Sequence, residues 1–212
     1  MDGTLTLTEP LHHQAYSTVF KKYGVDFTFD EEIKKYAGSG SHAIFAGVFA
    51  ERGIKVSDEE IEQCAQEKKK LYAKIVHESE IVGVPGVQEF LQRPEVRKLK
   101  KIIATGNSNL DAVRFMLQKA GISEHFSEMV SVGEVARGKP FPDVFLEAAR
   151  RINCEASACV VFEDAINGVT AAKAAGMRAF ALETTTAAAD LNAAGADTVF
   201  RSYLEIPTSN FL

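Results

Sequence analysis

Apolar and polar positions change their period once along this chain, near residue 80. From 10 to 78 apolar side chains recur at helical spacing. Leu11, Ala15, Val19 and Phe20 form one stripe that stops at Gly24, and Pro10 suits a first helical turn. A second helix is predicted over 42–52, ended by Gly53. Ser57-Asp58-Glu59-Glu60 has the form of a capping box, and the helix it starts continues through Ile61, Ala65, Lys68 and Tyr72. No strand signal stronger than 25–29 interrupts this block.

From 81 onward short apolar runs alternate with amphipathic stretches. Strands are predicted over 99–104, 128–132, 158–162, 178–182 and, briefly, 198–200. Helices are predicted between them over 110–120, 142–152, 168–175 and 187–194, three of them stopped by Gly121, Gly176 and Gly195. Such alternation implies an α/β fold, a Rossmann-like parallel sheet covered on both faces. Ligands of such sheets bind beyond the carboxyl ends of the strands. Thr105 and the pair Glu163-Asp164 each follow a predicted strand, Lys139 lies in a strand-to-helix loop, and Asp2 would follow a strand if the start were complete. All four therefore fall at one sheet edge. The chain divides into a core of 1–7 with 79–212 and a helical insert of 8–78 that would stand over that edge as a cap.

Composition narrows the classes. The chain has 212 residues, 46% hydrophobic and 25% charged, which suits one domain or a core with an insert. A formal charge of −5 argues against a nucleic-acid surface. No apolar run of about 18 residues is present and no secretory signal opens the chain, so the expectation is a monomeric cytoplasmic protein without a membrane partner. Cys64, Cys154 and Cys159 are odd in number and lack metal-ligand spacing, which fits reduced thiols.

The polar residues at the predicted edge suit a cation and a phosphate. Glu163 and Asp164 are adjacent like charges that need a partner, and hard oxygen donors favour Mg2+. The plain alternative is a solvated acidic pair opening a helix. Thr105 can donate its hydroxyl to a phosphate oxygen, with the amides of Gly106 and Asn107 pointing the same way before a helix. Alternatively Thr105 and Ser108 cap that helix, a role assigned here to Ser108. Lys139 can neutralise a phosphoryl group, although a loop lysine is more often a solvated surface group. Gly3 fits a positive φ after a strand.

Four runs in this order, Asp2-Gly3-Thr4-Leu5, Ile102-Ile103-Ala104-Thr105-Gly106-Asn107-Ser108, Gly138-Lys139-Pro140 with Pro142-Asp143 and Phe145, and Val161-Phe162-Glu163-Asp164-Ala165 with Gly168, resemble the haloacid dehalogenase superfamily of aspartate-nucleophile phosphotransferases. The resemblance spans the chain and is strongest to the capped branch containing beta-phosphoglucomutase and sugar-phosphate phosphatases. It implies that Asp164 ligates Mg2+, with Glu163 doing so directly or through water. It further implies that Asp2 is the acid-base residue and offers its carbonyl to the metal. Lys139 and Thr105 would bind the transferred phosphoryl group. The substrate would be a small-molecule phosphate ester, a sugar or polyol phosphate, turned over through an aspartyl phosphate.

Departures from the pattern matter too. The family nucleophile precedes Asp2 by two positions, and Met1 occupies the spacer. The expectation is an upstream apolar stretch ending in Asp, the sequence as given being inactive; a fragment or degenerate copy that binds phosphometabolites or a protein is the non-enzyme alternative. In the insert, His12 aligns with a cap-hinge histidine, and Gly38-Ser39-Gly40-Ser41-His42 resembles the substrate-specificity loop, where the mutase carries an arginine. Ser41 and His42 remain as candidate substrate contacts, which favours a phosphatase over the mutase alternative. Lys34 or Lys35 would have to replace that arginine if the mutase reading held. Leu7 is apolar where an acid is common.

Overall fold

The computed structural model describes residues 1–36 and 39–207. The chain divides into two compact units, Met1–Leu7 with Ile81–Leu212, and Thr8–Glu80. Among the described residues no helix is long and apolar enough to cross a membrane.

The helical unit contains α1 (Glu9–Lys21), α2 (Phe29–Tyr36), α3 (Ser41–Glu51) and α4 (Asp58–Glu78). Phe20, Phe45, Phe49, Val19 and Val48 are fully buried where α1, α3 and α4 pack. Phe20 lies 4.7 Å from Phe45 and 4.8 Å from Phe27, centroid to centroid, in the offset geometry that aromatic quadrupoles favour. Ser57 caps α4 as its sequence predicts: its hydroxyl accepts from the Glu60 amide at 3.2 Å, and Glu60 accepts from the Ser57 amide at 2.7 Å. The pattern at 25–29 forms no strand. Val25 and Phe27 alternate because they are plugged into this core from a loop, and Phe29 already begins α2. Helix α2 escaped the sequence reading because its eight residues hold one aliphatic side chain; it is organised by Asp30, Glu31 and Glu32 in its first turn and Lys34 and Lys35 in its last.

The α/β unit contains α5 (Val87–Gln92), α6 (Pro94–Arg97), β1 (Ile102–Thr105), α7 (Leu110–Lys119), β2 (Glu128–Ser131), α8 (Asp143–Arg151), β3 (Val160–Glu163), α9 (Ile166–Ala174), β4 (Arg178–Leu182), α10 (Ala188–Ala193) and β5 (Thr198–Phe200). All strand pairings are parallel, but the single sheet expected from the pattern is two: β1 beside β2, and β3, β4, β5 in that order. Helix α8 packs on β1 and β2, α9 on β3 and β4, and α8 meets α9, so one helical layer continues across both sheets. Val130, Ala148, Val161, Val169, Ala172, Ala179 and Leu191 share its apolar cluster. Residues 1–7 are sewn to the return of the chain, Leu7 N–H donating to the Val82 carbonyl at 2.8 Å and Val84 N–H to Leu5 at 3.0 Å.

Strand β1 starts three residues later than the apolar run suggests. Leu99 is exposed, and the Lys101 ammonium donates to the Val96 and Leu99 carbonyls at 2.9 and 2.8 Å, which turns 99–101 into the terminus of α6. Helices α5 and α6 were not read from the sequence; Gly86 (φ 81°) and Pro94 delimit them so tightly that neither completes a hydrophobic repeat.

Candidate active site

Glu163 ends β3 and Asp164 follows it, with 4% and 6% of their surfaces exposed. Two adjacent carboxylates this deep are costly unless something compensates them. For Glu163 the compensation is visible. The Lys139 ammonium donates to Oε1, and the Asp164 amide donates to Oε2 at 3.2 Å. Burial works against its charge, yet Lys139 holds Glu163 below the usual carboxylate range. Lys139 also lies 4.8 Å over the Phe145 ring of α8. The carboxylate rests on α9 only because position 168 is glycine: a Cβ there would sit 2.1 Å from the Glu163 carboxyl carbon.

Asp164 is held differently. The Thr4 hydroxyl donates to Oδ1 at 2.7 Å and the Thr185 hydroxyl to Oδ2 at 2.5 Å. Burial first, and then the Glu163 charge, push Asp164 up to about 6 against these two bonds. Thr184 donates to the Gly3 carbonyl at 2.5 Å. Gly3 has the expected positive φ, 67°, and a Cβ there would fall 2.1 Å from Asp164 Oδ2. The loop of the first motif, the end of β3 and the loop after β4 thus meet around one carboxylate.

The other sequence candidates are placed as follows. Thr105 ends β1, is 3% exposed, and accepts the Asn107 N–H at 3.1 Å. Gly106 is exposed with open space around its Cα, and Asn107 accepts the Asn109 N–H at 2.9 Å. The cap of α7 is Asn109, whose side chain accepts from Ala112 N at 3.1 Å, and not Ser108; Ser108 lies one residue too early to reach the free amides. Asp2 is half-buried and its backbone bridges to Thr6.

Among the described residues no three His, Cys, Asp or Glu side chains gather as a metal cage, a count that does not include the backbone carbonyl expected from Asp2. The donor chemistry still fits a hard cation. Mg2+ is commonly held by one or two carboxylates, the remaining positions going to water and phosphate oxygens. Glu163 and Asp164 supply those two carboxylates.

In the helical unit, His12 Nδ1 lies 2.7 Å from the Lys68 ammonium, and its ring stacks on Tyr72 at 3.8 Å. Lys68 is 4% exposed, with its ammonium 4.1 Å over the Tyr16 ring and 5.0 Å over that of Tyr72. Ser41 shares a 2.8 Å hydrogen bond with the Tyr16 hydroxyl, whose burial raises its pKa to about 12. His13 pairs with the buried Glu32 at 2.8 Å. His42 is exposed and pairs with Asp58 at 3.0 Å on the surface of the unit. Gly38 of the candidate specificity loop lies outside the described residues. Lys34 pairs with Asp30, and Lys35 with the half-buried Glu31 and with Glu51.

Four residues were not legible as functional from the sequence. Thr4 stands in the first motif with no role of its own. Thr184 and Thr185 belong to a run of three threonines after the strand at 178–182, a hydroxyl-rich strand end that is the one signal there. Lys68 was counted among the apolar positions of its helix, and a lysine in such a stripe was itself the signal.

Comparison with known proteins finds relatives along most of the chain. A phosphorylated carbohydrates phosphatase of Thermotoga maritima is 31% identical over 187 residues, covering 84% of this chain and 79% of that protein. The fructose-1-phosphate phosphatase YqaB of Escherichia coli is 31% identical over 179 residues, covering 84% of this chain and 91% of the relative. The crystal structure of CbbY from Rhodobacter sphaeroides in complex with phosphate superposes with a TM-score of 0.78 at 27% identity, covering 97% of this chain and 92% of that one. The family model for haloacid dehalogenase-like hydrolases matches residues 1–176. The chain therefore belongs to the haloacid dehalogenase-like hydrolase family.

Proposed function

We propose that this protein hydrolyses small phosphate monoesters of the sugar or polyol class with Mg2+. The observation that carries this reading is the buried pair Glu163-Asp164, with Lys139 against one acid and two threonine hydroxyls on the other. Bound Mg2+ would supply charge neutralisation for the phosphoryl oxygens. The chain's own residues do the rest. Glu163 and Asp164 offer fixed oxygens to the cation, and their burial strengthens that attraction. Lys139 is poised to shift part of its charge from Glu163 to a phosphoryl oxygen, and preorganised donors of this kind carry most of phosphoryl-transfer catalysis. Thr105 adds a buried hydroxyl at a strand end. Asp2 is assigned the proton-transfer role, because it sits in the same loop as Gly3 and Thr4 and a carboxylate can serve as acid and base in turn. The two named phosphatase relatives support the substrate class.

The test is phosphate release from hexose and pentose monophosphates by the natural protein, with Mg2+ and after chelation. Asp164→Asn is expected to lower kcat by at least about 10²-fold while the fold survives. Turnover that persists in chelator, or in that variant, refutes the assignment.

A further inference from the structure

Helix α8 ends at Arg151 and β3 begins at Val160. The segment between them holds two free cysteines, Cys154 and Cys159, separated by one 3-10 turn over Ala156–Ala158. Ala158 N–H donates to the Glu155 carbonyl and Cys159 N–H to that of Ala156, both at 3.0 Å, and a turn this tight brings the chain back on itself. The Cys159 side chain follows the reversal. Its thiol donates to the Glu155 carbonyl at 3.4 Å, directly beside Cys154 in the chain. Both cysteines line the same apolar cavity next to α8. There the Cys154 thiol is a hydrogen-bonding partner of Cys159; burial first, and then that bond, push Cys159 up to about 11.

Both ends of the segment are anchored. Cys154 N–H donates to the Ala149 carbonyl in α8 at 3.0 Å, and the Lys100 ammonium donates to the Ile152 and Asn153 carbonyls at 2.8 and 3.3 Å. At the other end the Cys159 carbonyl accepts the Arg178 N–H of β4 at 3.2 Å. The two thiols are therefore held close to one another, and the short turn between them is the part free to adjust. Both residues are half-buried, so a small reagent can reach them. Cys64 differs on each count: it belongs to the helical unit, is 3% exposed, and its thiol donates to the Tyr23 hydroxyl at 3.3 Å.

We infer that Cys154 and Cys159 are a redox site, a dithiol that closes to an intrachain disulfide on meeting a small-molecule disulfide. Cys159 is held as its thiol, so the Cys154 thiolate makes the first attack. It bonds to one sulfur of the reagent, the reagent's own S–S bond breaks, and the departing thiolate takes up a proton. Cys159 then loses its proton to solvent and its sulfur attacks Cys154 Sγ. The mixed disulfide breaks and a second small thiol leaves. In total the protein gives up two hydrogens and two electrons, and the reagent is reduced to two thiols. The new bond staples the end of α8 to the start of β3. Glu163 lies at the opposite end of that strand, roughly 13 Å further along, so the staple acts on the stability of the unit and leaves the acid pair in place.

The test is to incubate the reduced protein with oxidised glutathione, block remaining thiols with iodoacetamide under denaturing conditions, and digest with trypsin. Residues 152–173 hold both cysteines and no Lys or Arg before the last position, so one peptide reads the site. That peptide is expected to appear two hydrogens lighter, with neither cysteine alkylated, while Cys64 is alkylated. Dithiothreitol is expected to restore two alkylatable thiols. Cys159→Ser is expected to halt at the first step, with one glutathione held on Cys154. The thermal midpoint of the oxidised protein is expected to rise by about 4 °C, the scale for closing a short loop. Two glutathione adducts on the peptide, two free thiols after oxidation, a bond to Cys64 or between chains, or a midpoint that falls overturns the proposal. Mass and melting readouts do not depend on phosphate hydrolysis, so a protein that releases no phosphate still decides the redox site.

Discussion

Each unit of this protein contains a lysine withdrawn from solvent, and the two are housed in opposite ways. Lys139 of the α/β unit lies against a carboxylate, Glu163, so charge meets charge. Lys68 of the helical unit lies against a histidine nitrogen and the faces of two tyrosines, with the pull of Glu32 acting over a longer range. An ion pair binds its partner strongly but leaves little field for a ligand. A cation on aromatic faces is stabilised by a fraction of that energy. The first arrangement suits a charge handed to a phosphoryl group as it reacts, the second a charge that serves the packing of its own unit.

The largest effect is expected from Lys139→Met. Kinetics of the natural protein should show kcat lower by about 10³-fold. Denaturant unfolding should show a loss of about 3 kcal/mol, because Glu163 is left buried and unmatched. Wild-type stability in this variant would mean that the pair is a surface accident. Lys68→Met breaks the comparison from the other side. Stability should stay level or rise, since a buried charge is replaced by an apolar side chain of similar length. A clear loss of stability in denaturant unfolding would show instead that the charge itself holds the helical unit together and would erase the contrast.

A smaller effect sharpens the acid pair itself. Thr185→Val removes one of the two hydroxyls on Asp164, and the half-saturating Mg2+ concentration should rise about fivefold, with Thr185→Ser close to wild type. The smallest is a pH effect. The folded-state pKa of Asp164 is raised above its unfolded value, so its contribution favours the fold below about pH 4 and is lost as pH rises through about 6. Thermal midpoints of the cation-free protein should therefore fall across that window, and Mg2+ should flatten the fall. A midpoint that climbs through the same window would show that Asp164 is stabilised as its anion.

Local signals were legible wherever the chain obeyed one rule at a time. The Ser57 capping box, the positive φ of Gly3, the strand at 178–182 and the strand ends at Thr105 and Glu163 all emerged where the pattern put them. Misreadings came from residues answering to two demands. Val25 and Phe27 alternate like a strand while serving a helical core. Lys101 belongs to an apolar run by position but spends its ammonium on the carbonyls of α6. Ser108 resembles a helix cap, yet the turn built on Thr105 and Asn107 delays the cap to Asn109. The role of the threonine knot was invisible for another reason: Thr4 and Thr185 are 181 residues apart along the chain, and no local pattern joins them to Asp164.

The glycine at 168 has one last consequence. Because a single methyl group there would overlap the Glu163 carboxyl, the surface of α9 acts as a mould that sets the height of that side chain above the helix. Position 168 is therefore a steric dial. Gly168→Ala displaces the carboxylate by about the thickness of a methyl group, altering the shape of the site without altering its charge.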